Sequence, residues 1–244
     1  MASLNLIFSL RSIRLFALGS LTLTTGFAAS LASVTAALPA GTKYQIVFVT
    51  SDTFFATSST ISTYNTDVTN EANLSSILAP FDAKGLTWTA IGSTTGTSAS
   101  VNAPSTGLVF TLNGLEVASA ADELYSGSLL DPIDVDQYDA TLDTSVWTGS
   151  NSTGGPAGGI NDLGQTFTEY GTSTSTTAAW IATTNGIESD NGLSLYALSS
   201  VITVGASTPE PGTIGLCAGA LLLLSSLVRL SAKKKCPASA ALSK

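Results

Sequence analysis

The chain has 244 residues, 17 of them acidic against 9 basic, with no histidine and a formal net charge of −8. Between Leu38 and Ser207 the imbalance sharpens, because 16 acids face only Lys43 and Lys84, a net of about −14. An anionic body repels phosphate backbones, which excludes nucleic acid as a partner. The lack of histidine excludes Ser/His/Asp and Cys/His catalysis and histidine zinc sites.

In chain order, the N-terminus has the anatomy of a secretory signal. Arg11 and Arg14 form a positive n-region, and an apolar stretch opens at Leu15. Small residues permit cleavage after Ala32, with Ser30 at −3, or after Ala36, so residues 1–36 read as a signal peptide. The competing expectation is a buried N-terminal helix of the domain, which the missing amphipathic period disfavours.

The expected body spans residues 37–206. YQIVFVTS (44–51) is an unbroken run of β-branched and aromatic residues, which suits a strand buried on both faces. Ile61, Tyr64, Val68, Ala72 and Leu74 recur at roughly helical spacing. They predict one helix over 58–79, capped by Ser59 or Thr60 and closed by Pro80. Short strands are expected at 87–91, 107–112, 115–118, 193–199 and 201–204, separated by loops rich in Gly, Asn and Asp. No repeat of fixed period is present. Trp88, Trp147 and Trp180 read as core anchors rather than an exposed sugar platform. The body contains no cysteine, so its stability must come from its core.

Two loops invite chemical readings. DPIDVDQYDATLD places Asp131, Asp134, Asp136, Asp139 and Asp143 close together. Oxygen-rich clusters can hold calcium, and Asp131, Asp134, Asp136 and Asp139 are the candidates, although the spacing does not fit an EF-hand. The plainer reading is a solvated acidic loop with Ile133 and Val135 turned inward. GGPAGG (154–159) lacks the Lys and Ser/Thr of a phosphate loop and reads as a flexible surface loop. No carboxylate pair stands out for glycosidase-like work.

At the C-terminus, Pro209-Glu210-Pro211 precedes 15 uncharged residues, Ile214–Val228, followed by Arg229 and Lys233, Lys234 and Lys235. As a helix the apolar run spans roughly 22 Å at about 1.5 Å per residue. That is short for a membrane span, but Thr213 and a snorkelling Arg229 extend it. The lysines place the C-terminus on the cytoplasmic side and the body outside. Both prolines keep the preceding segment extended and open to another protein.

That ordered triple resembles the PEP-CTERM sorting signal, here residues 207–235 with a tail at 236–244. The resemblance implies an exported surface or extracellular-matrix protein of a Gram-negative-type bacterium. Its processing partner would be an exosortase-type membrane transpeptidase, and Ile214–Val228 would hold the chain in the inner membrane beforehand. The tail CPASAALSK departs from the pattern, in which such signals stop soon after the basic cluster.

The fragments TWTAIGST (87–94), LEVASAADELYSGSLLDPIDVD (115–136), SVWTGSNSTGG (145–155), Trp180 and LSLYALSS (193–200) together resemble the C-type-lectin-like architecture, including its endostatin-like variants. The expected fold is therefore α+β, with short strands and long loops, and an all-β sandwich is the alternative. The disulfides, the Glu-Pro-Asn or Gln-Pro-Asp loop and the Trp-Asn-Asp strand of true lectins are absent, so sugar binding does not follow from fold alone. A structural or adhesive, non-enzymatic role is expected, with extracellular polysaccharide as a candidate partner. The alternatives are a calcium-dependent carbohydrate-binding module and an exported polysaccharide hydrolase. Calcium is the one cofactor the residues suggest.

Overall fold

The structure, a computed structural model, describes residues 30–82 and 85–205. The n-region arginines, Pro209-Glu210-Pro211, the apolar run and the basic cluster lie outside these residues. Among the described residues no helix is long and apolar enough to cross a membrane.

The core is organised by β1 (Lys43–Val49) and β10 (Gly192–Ser199), which pair antiparallel with Val47 opposite Leu198 and Val49 opposite Tyr196. Alternation along a strand sends successive side chains to opposite faces. Tyr44, Ile46 and Phe48 join one buried cluster with Leu195 and Ala197, while Val47 and Val49 join a second with Tyr196 and Leu198. Both faces are covered, which explains the unbroken apolar run. Gln45 is the buried polar residue of β1. Its Nε2 donates to Ser199 O (2.8 Å) and Pro104 O (3.1 Å), and its Oε1 accepts from Thr106 N (2.9 Å), so its burial leaves no unmet polar atom.

The remaining strands are short: β2 (Phe54–Phe55), β3 (Trp88–Ala90), β4 (Leu108–Phe110), β5 (Glu116–Ala118), β6 (Ser145–Trp147), β7 (Phe167–Thr168), β8 (Tyr170–Thr172), β9 (Ile187–Glu188) and β11 (Ile202–Thr203). The nine-stranded sheet runs β5-β4-β1-β10-β6-β8, with β11 on β1 and both β2 and β3 on β10. β1–β4 and β10–β6 are parallel pairs. Because β1 and β10 change partners along their length, the sheet curls. A separate pair joins β7 to β9. The architecture mixes helices with one curled sheet, as the α+β expectation required, and does not stack two sheets.

Helix α2 (Ile61–Leu74) covers one face of the sheet through Tyr64, Val68 and Ala72. It is shorter at both ends than the expected 58–79. At its start Thr60 occupies the cap position without a side-chain hydrogen bond. The Tyr64 hydroxyl instead accepts from Ser58 N (3.0 Å) and donates to Ser58 O (2.7 Å). At its end Ser75 Oγ accepts from Ile77 N and Leu78 N, both 3.1 Å, drawing the chain into a new turn. Pro80 therefore does not close α2; it lies in the first turn of α3 (Ala79–Asp82), where a missing N–H costs nothing. Asn65 fastens α2 to β3, with Oδ1 accepting from Ala90 N (2.8 Å) and from Asn102 Nδ2 (2.9 Å) of α4 (Ala99–Asn102).

All three tryptophans are buried, Trp88 at 4% exposure and the other two at 0%. Trp88 meets Phe48 edge-on at 5.1 Å and donates through Nε1 to Asp82 Oδ1, and Trp147 Nε1 donates to Phe54 O. Trp180 packs between Tyr125 and Tyr196 in the second cluster.

Helix α1 (Leu31–Ala37) packs on the body. Leu31 is buried at 4% exposure, its N–H donates to Leu112 O, and Val34 and Leu38 pack against the first cluster. The Ser30 side chain caps this helix. A mature chain starting near Ser33 would lack both the cap and Leu31. Burial of a leucine contributes about 2 kcal/mol. A body beginning at Ser30 should therefore melt several degrees above one beginning at Leu38 in a thermal scan. Equal melting temperatures would show that α1 adds nothing to the fold.

A polar cavity between the long loops

Beyond the end of β6 the chain enters a stretch built from hydroxyls and glycines. Thr148 Oγ1 donates to Ile181 O (2.6 Å), while Thr148 N and Gly149 N both donate to Glu169 O. Ser150 Oγ lies 2.8 Å from Ser93 Oγ, whose own acceptor site takes Ala99 N (2.8 Å). Gly149 has φ +56°, and a Cβ there would lie 2.4 Å from Leu163 N and 2.5 Å from Ser93 O. Only glycine fits this crossing. In β8 the constraint is tighter still: a Cβ on Gly171 would fall 1.8 Å from Trp180 O, so the backbone of 178–181 lies directly on that strand.

These crossings leave a cavity of about 410 Å³ lined by Ser150–Ser152, Ala157, Asn161, Glu169, Ala178, Ala182 and Thr184. The volume falls within the usual range for small-ligand sites. The loop read as flexible from its glycines forms one wall of it. Asn151 ties that loop together, with Oδ1 accepting from Thr153 N and Gly155 N, both 3.0 Å, and Nδ2 donating to Pro156 O (3.1 Å).

Glu169 is the one charged residue in the lining and is 5% exposed. Its Oε1 accepts from Thr183 Oγ1 (3.1 Å) and Thr184 N (2.8 Å). Thr184 has φ +67°, a left-handed conformation that is costly for a β-branched residue. Strain of this kind persists only where surrounding contacts hold it and is concentrated at functional sites. Sequence reasoning passed over Glu169, because TFTEYGT gives no sign that this carboxyl is buried. The only sequence signal was the density of glycine between 149 and 171.

The expected calcium candidates do not converge. Asp136 is buried at 4% exposure, and its Oδ1 accepts from Tyr138 N and Ala140 N, both 2.8 Å, closing its own turn. Asp139 is exposed at φ +66° in that turn, while Asp131 and Asp134 are half-buried. Among the described residues no three acidic side chains gather where they could hold a metal ion. Ile133 and Val135 are buried, as the solvated-loop reading required.

The loop instead docks through Gln137. Its Oε1 accepts from Ser51 N (3.0 Å), and its Nε2 donates to Ser51 Oγ (2.8 Å) and to Glu71 Oε2 (2.6 Å). Its backbone carbonyl accepts from Ser75 Oγ. Comparison of the sequence with models of known protein families gives no match, and no curated protein matches it significantly.

Burial lifts the Glu71 carboxyl above the ordinary range, and the charges of Asp52 and Asp136 add to the shift. Burial lifts Asp67, and it lifts Asp134 with the charge of Asp131 adding to it. A carboxyl with a raised folded pKa contributes stability fully present below its unfolded value of about 4.3 and lost as pH rises through the folded value. These three carboxyls should therefore lower the melting temperature as pH rises above about 4.3. Glu71→Gln should make that fall shallower, since a neutral amide carries no charge to desolvate. An identical slope in the variant would remove Glu71 as a source of the pH dependence.

Proposed function

We propose that this is an exported bacterial surface or extracellular-matrix protein, sorted through a PEP-CTERM signal at Pro209-Glu210-Pro211, with a structural or adhesive rather than catalytic body. The observation that carries the reading is the ordered triple of Pro-Glu-Pro, apolar run and basic cluster at 209–235. Pro prevents the helix of the apolar run from extending back through the motif. The lysines favour a cytoplasmic end for a segment embedded in a bilayer. An exosortase-type transpeptidase would meet the motif at the extracytoplasmic face of the inner membrane, where that segment begins.

The body's construction supports this layout. β11 pairs with the start of β1, Lys43 opposite Thr203, and Gly41 N donates to Val204 O. The folded unit thus closes on itself at Val204, five residues before Pro209. Pairing of the first and last long strands, three buried tryptophans and long loops on a curled sheet favour a C-type-lectin-like body. A polysaccharide hydrolase needs two carboxyls about 5–10 Å apart. The cavity carries one, which favours binding over hydrolysis.

In an exosortase-positive host, the wild-type protein should lose the residues after the motif. A variant with Pro209, Glu210 and Pro211 replaced by alanine should keep them through Lys244. Mass spectrometry of the C-terminal peptide reads this directly. If both proteins retain the full tail, the sorting reading fails and a permanent anchor takes its place.

A further inference from the structure

We propose that the cavity at Glu169 binds a saccharide bearing a free amine, with the ammonium group held by Glu169 Oε2. The inference rests on the adhesive reading of the body, and it names the ligand class that this body takes.

The cavity is built for a ligand that is both cationic and hydroxyl-rich. Glu169 is almost wholly buried, yet its hydrogen bonds all go to Oε1, and Oε2 has no partner among the described residues. Oε2 is not sealed from solvent, so it is open to a partner within the cavity. No cationic side chain lines the cavity to supply one, and among the described residues Lys43 is the only cationic side chain. A charge-assisted N–H···O contact from the ligand would complete the site.

The rest of the lining is neutral. The side chains of Ser152, Asn161 and Thr184 make no hydrogen bond to other described residues, which leaves them to meet ligand hydroxyls. The methyl groups of Ala157, Ala178 and Ala182 offer apolar contact for the C–H faces of a sugar ring. The walls are also set before a ligand arrives, since Asn151 locks one loop internally and Glu169 Oε1 holds Thr184 in its strained conformation. Preformed walls reduce the ordering cost of binding. The acidic body, about −14 from Leu38 to Ser207, draws a cation towards the site.

The test is calorimetric titration of the purified body with glucosamine disaccharide, its N-acetylated form and a neutral glucose disaccharide. Acetylation removes the positive charge while keeping the ring and its hydroxyls. We expect one-to-one binding of the glucosamine disaccharide, with both uncharged sugars at least about tenfold weaker. Glu169→Gln should weaken the amine sugar by a similar factor and abolish the preference for it. Asp139→Asn removes the same unit of charge at an exposed turn and should leave binding unchanged.

No binding of the amine sugar by the wild-type body overturns the proposal. So does equal binding of its acetylated form, a comparison that needs no variant to fold. A loss in Asp139→Asn equal to that in Glu169→Gln would also overturn it, by showing bulk attraction to an acidic surface. Because C-terminal processing is read separately, absent binding with intact processing removes this inference alone.

Discussion

Everything in the body hangs on the antiparallel pairing of its first and last long strands. β1 and β10 are buried on both faces, and each divides its side chains between the two hydrophobic clusters. Where the pairing ends, Thr50 continues it. Its N–H donates to Leu195 O, and its Oγ1 accepts from Leu195 N, both at 2.8 Å. From β10 the parallel partner β6 is set in register, Leu195 opposite Trp147, and β6 runs directly into Thr148 and Gly149 at the cavity. The cavity is therefore one strand removed from the centre of the fold. That connection accounts for how loops with little apolar content keep a defined shape.

The second constraint is charge. With so few cations in the body, several of its carboxylates accept from N–H and hydroxyl donors. Asp136 accepts from two backbone amides of its own turn, and Asp162 accepts from Gly158 N. Glu123 Oε2 accepts from Ser119 N, Ser119 Oγ and Ala120 N, and these bonds hold its carboxyl below the ordinary range. Glu71 and Asp134 are the opposite case, lifted by burial. Glu169 has one oxygen satisfied in this manner, while the other accepts no hydrogen bond from the described residues.

How much of this was legible in the sequence depended on how local the governing force was. The strands at 44–51 and 193–199 announced themselves because burial on both faces leaves a continuous apolar run. The three tryptophans followed from size and hydrophobicity. The ends of α2 were misjudged because the competing contacts, Tyr64 to Ser58 and Ser75 to Ile77 and Leu78, are side-chain hydrogen bonds that helical spacing does not encode. The acidic loop left a cation site open beside the plainer solvated-loop reading because spacing alone cannot tell an Asp that closes a turn from one that waits for a metal. β7, β8 and β9 lack any apolar run, and their pairings depend on residues distant in the chain. Glu169 was invisible for the same reason: its burial is imposed by Thr148, Gly149 and the strained Thr184, not by its neighbours in sequence.

The β1–β10 pair should be the last part of the body to open, with the cavity walls borne by it. Residue-resolved hydrogen exchange on the folded body tests that ordering most directly. The amides of Ile46–Thr50 and Ser194–Leu198 should exchange last, at the rate of global unfolding, after those of α2 and of the loops at 150–161 and 178–184. If the β1 and β10 amides exchange while α2 stays protected, the spine of the fold lies elsewhere and the account is wrong.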